Sequence, residues 1–475
     1  MNTNFNAVIE RADPRERALV EISSDGGKRE FTFGEVSDRS ARLAGALSRR
    51  GVQRGDIVMT LIGNRPEWVF SMLACFRLGA VALPCIEQLR AKDLLQRIEA
   101  THPRVIIADR RNVPELTATG SDTPVILIPD ESLFDAPPAD SVELSDEDPC
   151  LIAFTSGTAG KPKPITHVQR YLFGQHIQAR HWLDARPGDL VWCTAASGWS
   201  KSARNTFIAP WLQGAAAMLH DARFDPQERL DLILREKVDV LCMAPTEYRV
   251  ITKRVVVGRL GGLRHCVAAG EALTPEVLKA WHAATGLWIH DGYGQTETGQ
   301  LTGAPLGARP RAGSMGKPLP GVTLWVDAGE LVADPATVPT FFLGAPRERP
   351  WRTGDRVREE DGYLYFEGRA DDIIISSGYR IGPFEVESAL VAHPAVAEAA
   401  VVAAPDEERG SVVRAVVVLR EGFAPSDALA DELRSHVKAE TAPYKYPRII
   451  EFTDRLPKTS SGKIRRAALR ASIQA

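Results

Sequence analysis

A segment rich in glycine, hydroxyl and lysine side chains, residues 155–163, has the composition of a phosphate-binding loop. It runs Thr155, Ser156, Gly157, Thr158, Ala159, Gly160, Lys161, Pro162 and Lys163. Glycines let the main chain fold closely around a polyphosphate, so that backbone N–H groups, hydroxyls and ammonium groups face the anion. The segment is not a Walker A loop, because Lys161 is followed by proline. A flexible surface loop is the alternative, but two lysines, a proline and a preceding apolar run favour the phosphate site.

Strand and helix patterns alternate through the first two thirds of the chain. Apolar residues recur at helical spacing in residues 36–47, 67–78 and 93–100, and compact apolar runs occupy residues 57–62, 80–83 and 105–108. Further short strands are predicted at residues 151–154, 238–243, 266–269 and 287–290, each followed by a polar or glycine-containing loop. The alternation predicts an α/β fold whose large N-terminal domain has layered, mostly parallel sheets with helices. Ligands of such sheets bind at strand ends, which is where we expect the substrate site.

The pattern changes near residue 370. Strands at 396–403, 412–419 and 448–452 with a helix at 428–440 predict a small α+β domain of about a hundred residues. We place the boundary at Asp371, which gives an N-terminal domain of residues 1–370 and a C-terminal domain of residues 371–475.

Length, charge and cysteine content narrow the class of protein. A chain of 475 residues is too long for one ordinary core. The net charge of -3 gives no reason to expect nucleic acid or a membrane surface as a partner. Six scattered cysteines without a CxxC pair are typical of reduced thiols, and no signal peptide is visible, so we expect a cytoplasmic protein. No apolar run approaches the about 20 residues of a membrane-spanning helix.

Four further motifs follow the loop at 155–163. In chain order they are Asp291-Gly292-Tyr293-Gly294-Gln295-Thr296-Glu297-Thr298, Trp351-Arg352-Thr353-Gly354-Asp355, Gly368-Arg369-Ala370-Asp371-Asp372 with Ser377-Gly378-Tyr379-Arg380, and Pro457-Lys458-Thr459-Ser460-Ser461-Gly462-Lys463. The set resembles the adenylate-forming superfamily of acyl-CoA synthetases, luciferases and peptide-synthetase adenylation domains. Within it, Ser197-Gly198-Trp199, Trp211-Leu212-Gln213-Gly214 and Tyr444-Lys445-Tyr446-Pro447 look most like medium-chain acyl-CoA and acetyl-CoA synthetases.

The resemblance implies an ATP-dependent acid–CoA ligase. A carboxylate and ATP would give an acyl-adenylate and pyrophosphate, and coenzyme A would then form the thioester and release AMP. It also implies that Tyr293 stacks on adenine, Thr296 donates to the α-phosphate and Glu297 holds Mg²⁺, an ion that prefers carboxylate oxygen. Lys463 would stabilise the charge that develops on the α-phosphorus.

The remaining nucleotide contacts implied by the resemblance come from the same motifs. Asp355 would bind the ribose hydroxyls and Arg369 the ribose or phosphates. The full nucleotide-binding set is Thr155, Ser156, Gly157, Thr158, Ala159, Gly160, Lys161, Lys163, Gly270, Glu271, Asp291, Gly292, Tyr293, Gly294, Gln295, Asp355 and Arg369.

The resemblance also implies a mobile C-terminal domain that rotates about a hinge at Asp371 before thioester formation. The residues that resemble coenzyme-A-binding positions are Gln88, Ser377, Gly378, Tyr379, Arg380, Arg409 and Lys445. Lys445 is chosen for its charge alone.

The acyl pocket is expected to be lined by Trp199, Gly292 and Gly294. Acetyl-specific relatives carry a tryptophan at the position of Gly294, so glycine there predicts a deeper pocket and an acid larger than acetate, medium-chain or aryl. Trp199 has a plain core role as its alternative. The segment between Asp327 and Trp351 is short for this family, which leaves acyl selectivity and oligomeric state open, with a homodimer as one alternative.

Two other functions compete with the ligase. The adenylate could be transferred to a carrier-protein thiol or another nucleophile, which would leave the first step unchanged. A non-catalytic nucleotide-binding relative is the other alternative, but Lys463, Glu297 and the loop at 155–163 would have no reason to persist in it.

Overall fold

Two twisted sheets form the frame of the N-terminal part in this computed structural model. The seven-stranded sheet has the strand order Ile289–Gly292, His265–Ala269, Val240–Met243, Leu190–Cys193, Ala216–His220, Arg17–Ile22 and Lys28–Thr32. The six-stranded sheet has the order Val125–Ile128, Val105–Asp109, Ile57–Leu61, Val81–Cys85, Pro149–Thr155 and Lys163–Val168. Neighbouring strands are parallel except for the last pair of each sheet. The predicted α/β fold with mostly parallel sheets is therefore confirmed.

The structure describes residues 3–155, 162–345, 347–369, 372–376, 379–406, 409–441, 443–458 and 464–471, with Arg380 and Pro443 described by their backbone alone. Within these ranges, none of the helices has the length and apolar character that crossing a membrane requires.

Helices separate the two sheets and cover their outer faces. Pro66–Leu78 is buried at every position, as expected for a helix that is apolar on all sides, and it packs with Phe33–Arg49 between the sheets. Pro226–Arg235, Pro245–Arg254 and Pro275–Thr285 pack on the seven-stranded sheet. The other α-helices of this part are Asn6–Arg11, Ala91–Thr101, Val113–Thr117, Gln169–Gly174, His176–His181 and Ala209–Trp211, with a π-helix at Arg204–Ile208 and 3₁₀ turns at Arg110–Asn112, Glu131–Asp135 and Pro335–Thr337.

A four-stranded antiparallel sheet follows. Its strands are Leu324–Asp327, Glu330–Ala333, Trp351–Glu360 and Tyr363–Arg369, and the short pairs Gly294–Gln295 with Gly299–Gln300 and Thr302–Gly303 with Lys317–Pro318 precede it. The first two strands are joined through Ala328 and Gly329, whose φ angles of 49° and 78° suit a two-residue hairpin. The short segment between Asp327 and Trp351 thus retains a paired strand.

The C-terminal part has the predicted α+β character. Its sheet has the order Val396–Asp406, Gly410–Leu419 and Ile449–Phe452, and a hairpin joins Ile374–Ser376 to Tyr379–Ile381. The helices are Pro383–Ala392, Asp427–Glu440 and Arg466–Ala471, with a 3₁₀ turn at Pro443–Lys445.

An ion-pair cluster ties the start of this part to its last helix. Arg470 donates to Asp372 at 2.6 Å, and Arg466 lies 3.8 Å from the same carboxylate. Arg466 also donates to both oxygens of Glu387 at 2.6 and 2.7 Å. Asp372 is therefore fixed to the C-terminal body. The proposed boundary residue Asp371 lies outside the described residues, so the boundary stays a prediction.

Candidate active site

The carboxylate of Asp355 is the centre of a buried hydrogen-bond network. The hydroxyl of Tyr293 donates to Oδ2, Gln295 Nε2 donates to the same oxygen at 2.9 Å, and Arg369 Nη1 donates to Oδ1 at 3.0 Å. Burial raises the pKa of the Asp355 carboxyl, while Arg369 and the hydroxyl of Tyr293 oppose that rise. Three motifs that are far apart in the sequence thus meet at one carboxylate.

Gln295 holds this network in place. Its Nε2 also donates to the carbonyl of Thr353 at 2.7 Å, and its Oε1 accepts from Trp351 Nε1 at 3.1 Å. The Tyr293 ring packs between two apolar clusters of the N-terminal part.

Thr296 and Glu297 occupy the turn of a tight hairpin whose paired strands are Gly294–Gln295 and Gly299–Gln300. The turn is closed by the Gln295 N–H, which donates to Thr298 Oγ1 at 3.2 Å. Thr296 Oγ1 lies 3.4 Å from Ser200 Oγ, so the segment that follows Trp199 faces this turn. Glu297 is half-buried, and its carbonyl accepts from the N–H of Phe342 at 3.2 Å.

The space beside Gly294 is already filled. A Cβ atom on Gly294 would lie 1.9 Å from the carbonyl oxygen of Gly299, across the hairpin. Glycine is needed here because two main chains approach closely. A side chain at residue 294 would therefore require the hairpin main chain to shift, and the role of Gly294 in the pocket lining stays a prediction.

Gly292 and Asp291 lie within the edge strand Ile289–Gly292 of the seven-stranded sheet, whereas the sequence placed them in the loop after it. A Cβ on Gly292 would meet the side chains of Gln300 at 2.3 Å and Trp182 at 2.7 Å. The carboxyl of Asp291 accepts from the Gly292 N–H at 2.9 Å, and burial raises its pKa well above the ordinary range. Neither residue has a side chain aimed at the Asp355 network.

Neighbouring strand ends of the seven-stranded sheet supply a second group of polar residues. Gly270 follows His265–Ala269 with a φ of 99°, and the hydroxyl of Thr246, in the first turn of the helix after the adjacent strand Val240–Met243, donates to Glu271 at 2.7 Å. This is the convergence of strand ends that the sequence predicted.

The predicted phosphate loop begins and ends on an antiparallel pair. Thr155 and Lys163 are register partners in the last two strands of the six-stranded sheet. Ser156, Gly157, Thr158, Ala159, Gly160 and Lys161 lie outside the described residues, as do Asp371, Ser377, Gly378 and Lys463, and the side chain of Arg380 is not described. Their roles stay predictions.

Trp199 is half-buried against the apolar cluster of the six-stranded sheet. A Cβ on the preceding Gly198 would lie 2.1 Å from the backbone nitrogen of Ile86, so this segment sits directly on the end of the strand Val81–Cys85. Trp199 thus has the core contacts of its alternative interpretation, and a pocket role stays a prediction.

The proposed coenzyme A residues occupy separate places. Gln88 is exposed in the turn after Val81–Cys85, and Arg409 directly precedes the strand Gly410–Leu419. Tyr379 is 53% exposed and stacks on Tyr444, with ring centroids 4.4 Å apart. Lys445, which follows Tyr444, pairs with Glu385 at 2.5 Å. Tyr379 therefore packs on another residue of its own C-terminal part, Tyr444.

Sequence analysis missed the cations beside the site. Lys201 donates to the carbonyl of Ala269 at 3.0 Å, and Arg204 is only 5% exposed. Below them lies His167, whose pKa burial and Arg204 lower to about 3. Two basic residues three positions apart in an otherwise uncharged segment were the available signal.

Residues 7–337 match the family model described as AMP-binding enzyme, and residues 385–463 match the model of the AMP-binding enzyme C-terminal domain. Acyl-coenzyme A synthetase ACSM4, mitochondrial, of Homo sapiens is 38% identical over 96% of this chain and 87% of its own length. The uncharacterized acyl–CoA ligase YtcI of Bacillus subtilis is 37% identical over 96% of this chain and 93% of its own. A solved benzoate CoA ligase of Burkholderia xenovorans is 28% identical, covers 99% of this chain and 100% of its own, and superposes with a TM-score of 0.87. The chain belongs to the AMP-binding enzyme family, the adenylate-forming superfamily, and is an AMP-forming acyl-CoA synthetase.

Proposed function

We propose that this enzyme activates a carboxylic acid larger than acetate, medium-chain or aromatic, and transfers the acyl group to coenzyme A. The observation that carries the proposal is that Tyr293 and Arg369 both donate to the buried carboxylate of Asp355. An aromatic ring, a guanidinium and an acceptor carboxylate match the adenine, phosphate and ribose of a nucleotide. The similarity to a benzoate CoA ligase supports an acid of this size.

In the first half-reaction an oxygen of the substrate carboxylate attacks the α-phosphorus of ATP, and pyrophosphate leaves with the electrons of the broken P–O bond. The acid is ionised at neutral pH, so this step needs no general base. Thr296, on its hairpin turn, donates to the α-phosphate, and the Lys463 ammonium stabilises the charge that develops there.

Mg²⁺ fits this site as a partner of the substrate phosphates. Among the described residues there is no group of three or more carboxylate, histidine or cysteine side chains suited to hold a metal. Glu297 provides one half-buried carboxylate on the same turn as Thr296, and Mg²⁺ is commonly held by one or two carboxylates together with phosphate oxygens and water. When bound, the ion would offset phosphate charge.

In the second half-reaction the thiol of coenzyme A attacks the acyl carbon, and AMP leaves. We infer that the C-terminal domain, residues 371–475, turns about Asp371 against residues 1–370. The hairpin that carries Ser377, Gly378, Tyr379 and Arg380 then lines the path of the thiol arm. Gln88, Arg409 and Lys445 contact the remainder of coenzyme A. The exposed Tyr379 ring in the present arrangement is compatible with such a move.

We also infer a reducing, cytoplasmic setting, because all six cysteines are free and buried.

The test is a panel of acids from acetate through octanoate to benzoate, with AMP and acyl-CoA measured together. Equal amounts of AMP and acyl-CoA with octanoate or benzoate, and little with acetate, support the proposal. Pyrophosphate exchange without acyl-CoA would instead indicate a carrier-protein thiol or another nucleophile as acceptor.

A further inference from the structure

Arg204 is a buried arginine without an acidic partner. Four arginines are buried among the described residues, and three of them pair with a carboxylate: Arg77 with Glu10 at 2.9 Å, Arg229 with Glu247 at 3.1 Å, and Arg414 with Glu451 at 2.5 Å. Arg204 is as buried as these, yet it forms no ion pair with a described residue, and its Nε has no hydrogen-bond partner. Because an unpaired buried charge is costly, an external anion is expected to complete the site.

Lys201 is a second cation on the same segment. Its Nζ donates to the carbonyl of Ala269 and forms no ion pair with a described residue. It lies 3.1 Å from the position that a Cβ on Gly270 would take, and Arg204 Nη1 lies 3.5 Å from the corresponding position on Gly299. Both cations therefore lie close to the main chain at glycines of the candidate site.

These cations lie close to the reacting end of the site. Ser200, directly before Lys201, is the residue whose hydroxyl lies 3.4 Å from that of Thr296, the proposed donor to the α-phosphate. Gly299 is three residues beyond Thr296 on the same hairpin. An acid whose carboxylate is activated beside Thr296 would extend from there towards the segment of Lys201 and Arg204.

We propose that the acid carries a second anionic oxygen group, and that Arg204 and Lys201 bind it. The substrate class is thus a dicarboxylic acid, aliphatic or aromatic, of which one carboxylate is activated and the other is held by the two cations. The inference rests on the proposed function and adds a specificity determinant to it. A site built to bind a polar group discriminates strongly against the analogue that lacks it, because the buried charge is then left unpaired.

One internal group competes for the role of counter-charge. Cys193 and Cys242 are register partners on neighbouring strands next to the cations. The adjacent Cys242 thiol lowers the pKa of Cys193 to about 7, and Lys201 acts in the same direction. A thiolate at Cys193 would offset part of the positive charge without any substrate.

The experiment compares kcat/KM for acids matched in length: hexanoate with adipate, octanoate with suberate, and benzoate with terephthalate. The wild-type enzyme is expected to prefer the diacid in at least one pair. In Arg204→Met the ratio of diacid to monoacid kcat/KM should fall roughly 100-fold. Arg204→Lys, which keeps the charge, should retain most of the preference and serves in case the methionine variant does not fold.

A wild-type preference for the monoacid in every pair would overturn the inference, as would a ratio that does not change in Arg204→Met. Cys193→Ser decides the competing assignment: a diacid preference that appears in this variant but is missing in the wild-type enzyme would assign the counter-charge to the thiolate and overturn the inference. Acyl-CoA formation from monoacids alone would leave the proposed function standing, whereas absence of AMP with every acid would remove both.

Discussion

Replacement of Tyr293 by phenylalanine tests how Asp355 exchanges partners when ATP binds. A carboxylate offers about four lone-pair sites, and Asp355 already accepts from Tyr293, Gln295 and Arg369. Two ribose hydroxyls would bring the donors to five, so one of the present donors must leave. We expect the departing donor to be the Tyr293 hydroxyl, because the Tyr293 ring has to move in order to stack on the adenine.

The magnitude follows from the hydrogen bond that the wild-type enzyme has to break. A hydrogen bond to a charged group contributes about 1.5–3 kcal/mol, and the released phenol recovers part of that from water or ribose. At the lower limit, Tyr293→Phe should bind ATP about tenfold more tightly. The same bond stabilises the free enzyme, so the variant should lose roughly 1.5–3 kcal/mol of unfolding free energy without nucleotide.

The assay is calorimetric titration of ATP, with urea unfolding of the nucleotide-free protein. Tyr248→Phe is the matched control, because the buried Tyr248 hydroxyl donates to the carbonyls of Leu241 at 3.3 Å and Val267 at 3.2 Å and takes no part in the Asp355 network. It should lower stability and leave ATP affinity unchanged. A folded Tyr293→Phe that binds ATP tenfold more weakly would refute the reasoning, since the hydroxyl would then contact the nucleotide.

Four further outcomes are expected. Lys463→Ala should nearly abolish adenylation yet spare thioester formation from supplied acyl-adenylate; equal loss in both half-reactions would refute its proposed role. Asp371→Pro should do the reverse, because proline fixes φ near about -65°, and full activity in both steps would exclude it as the hinge. Gly294→Ala should lower the melting temperature and the adenylation of all acids alike, since its Cβ meets the Gly299 carbonyl at 1.9 Å; an altered ranking of acids in a folded variant would instead support a place for residue 294 in the acyl pocket. Burial and the neighbouring His290 lower the pKa of His265 to about 4, so this histidine is neutral when folded and takes up a proton on unfolding. His265 alone should therefore lower the unfolding free energy by roughly 1.4 kcal/mol per pH unit as the solution is acidified from about pH 6.5 to 4, and His265→Gln should reduce the measured slope in urea titrations by that amount.

The sheet framework could be predicted because its strands and helices carry continuous apolar signals. The apolar pattern of residues 67–78 predicts a helix, and the structure has Pro66–Leu78. The strand at Ile289–Gly292 was placed two residues too early, because Asp291 and Gly292 look like loop residues although they pair with Ala268 and Ala269. Local pattern does not reveal such pairing.

The sequence motifs predicted which residues belong to the site, but they did not predict how those residues are arranged in space. The motifs brought Tyr293, Asp355 and Arg369 into one hypothesis, and the structure puts them in contact. The close approach of the Gly299 main chain to Gly294 could not be predicted, because it depends on how the hairpin pairs residues five positions apart. The missing partner of Arg204 was equally hidden, since ion pairing depends on side chains distant in sequence.

The ion pairs of Asp372 with Arg466 and Arg470 make the start of the C-terminal part rigid relative to its last helix. Asp372 is held to the last helix by its ion pairs with Arg466 and Arg470. A change in the backbone torsion angles of the one or two residues before Asp372 would therefore not bend the chain at Asp372 itself. Under the proposed rotation about Asp371, such a change would turn the C-terminal part as one unit and carry Tyr379 with it. Arg470→Ala would remove one of these ion pairs. It would then disturb the coordination between the two half-reactions without changing the residues of either site.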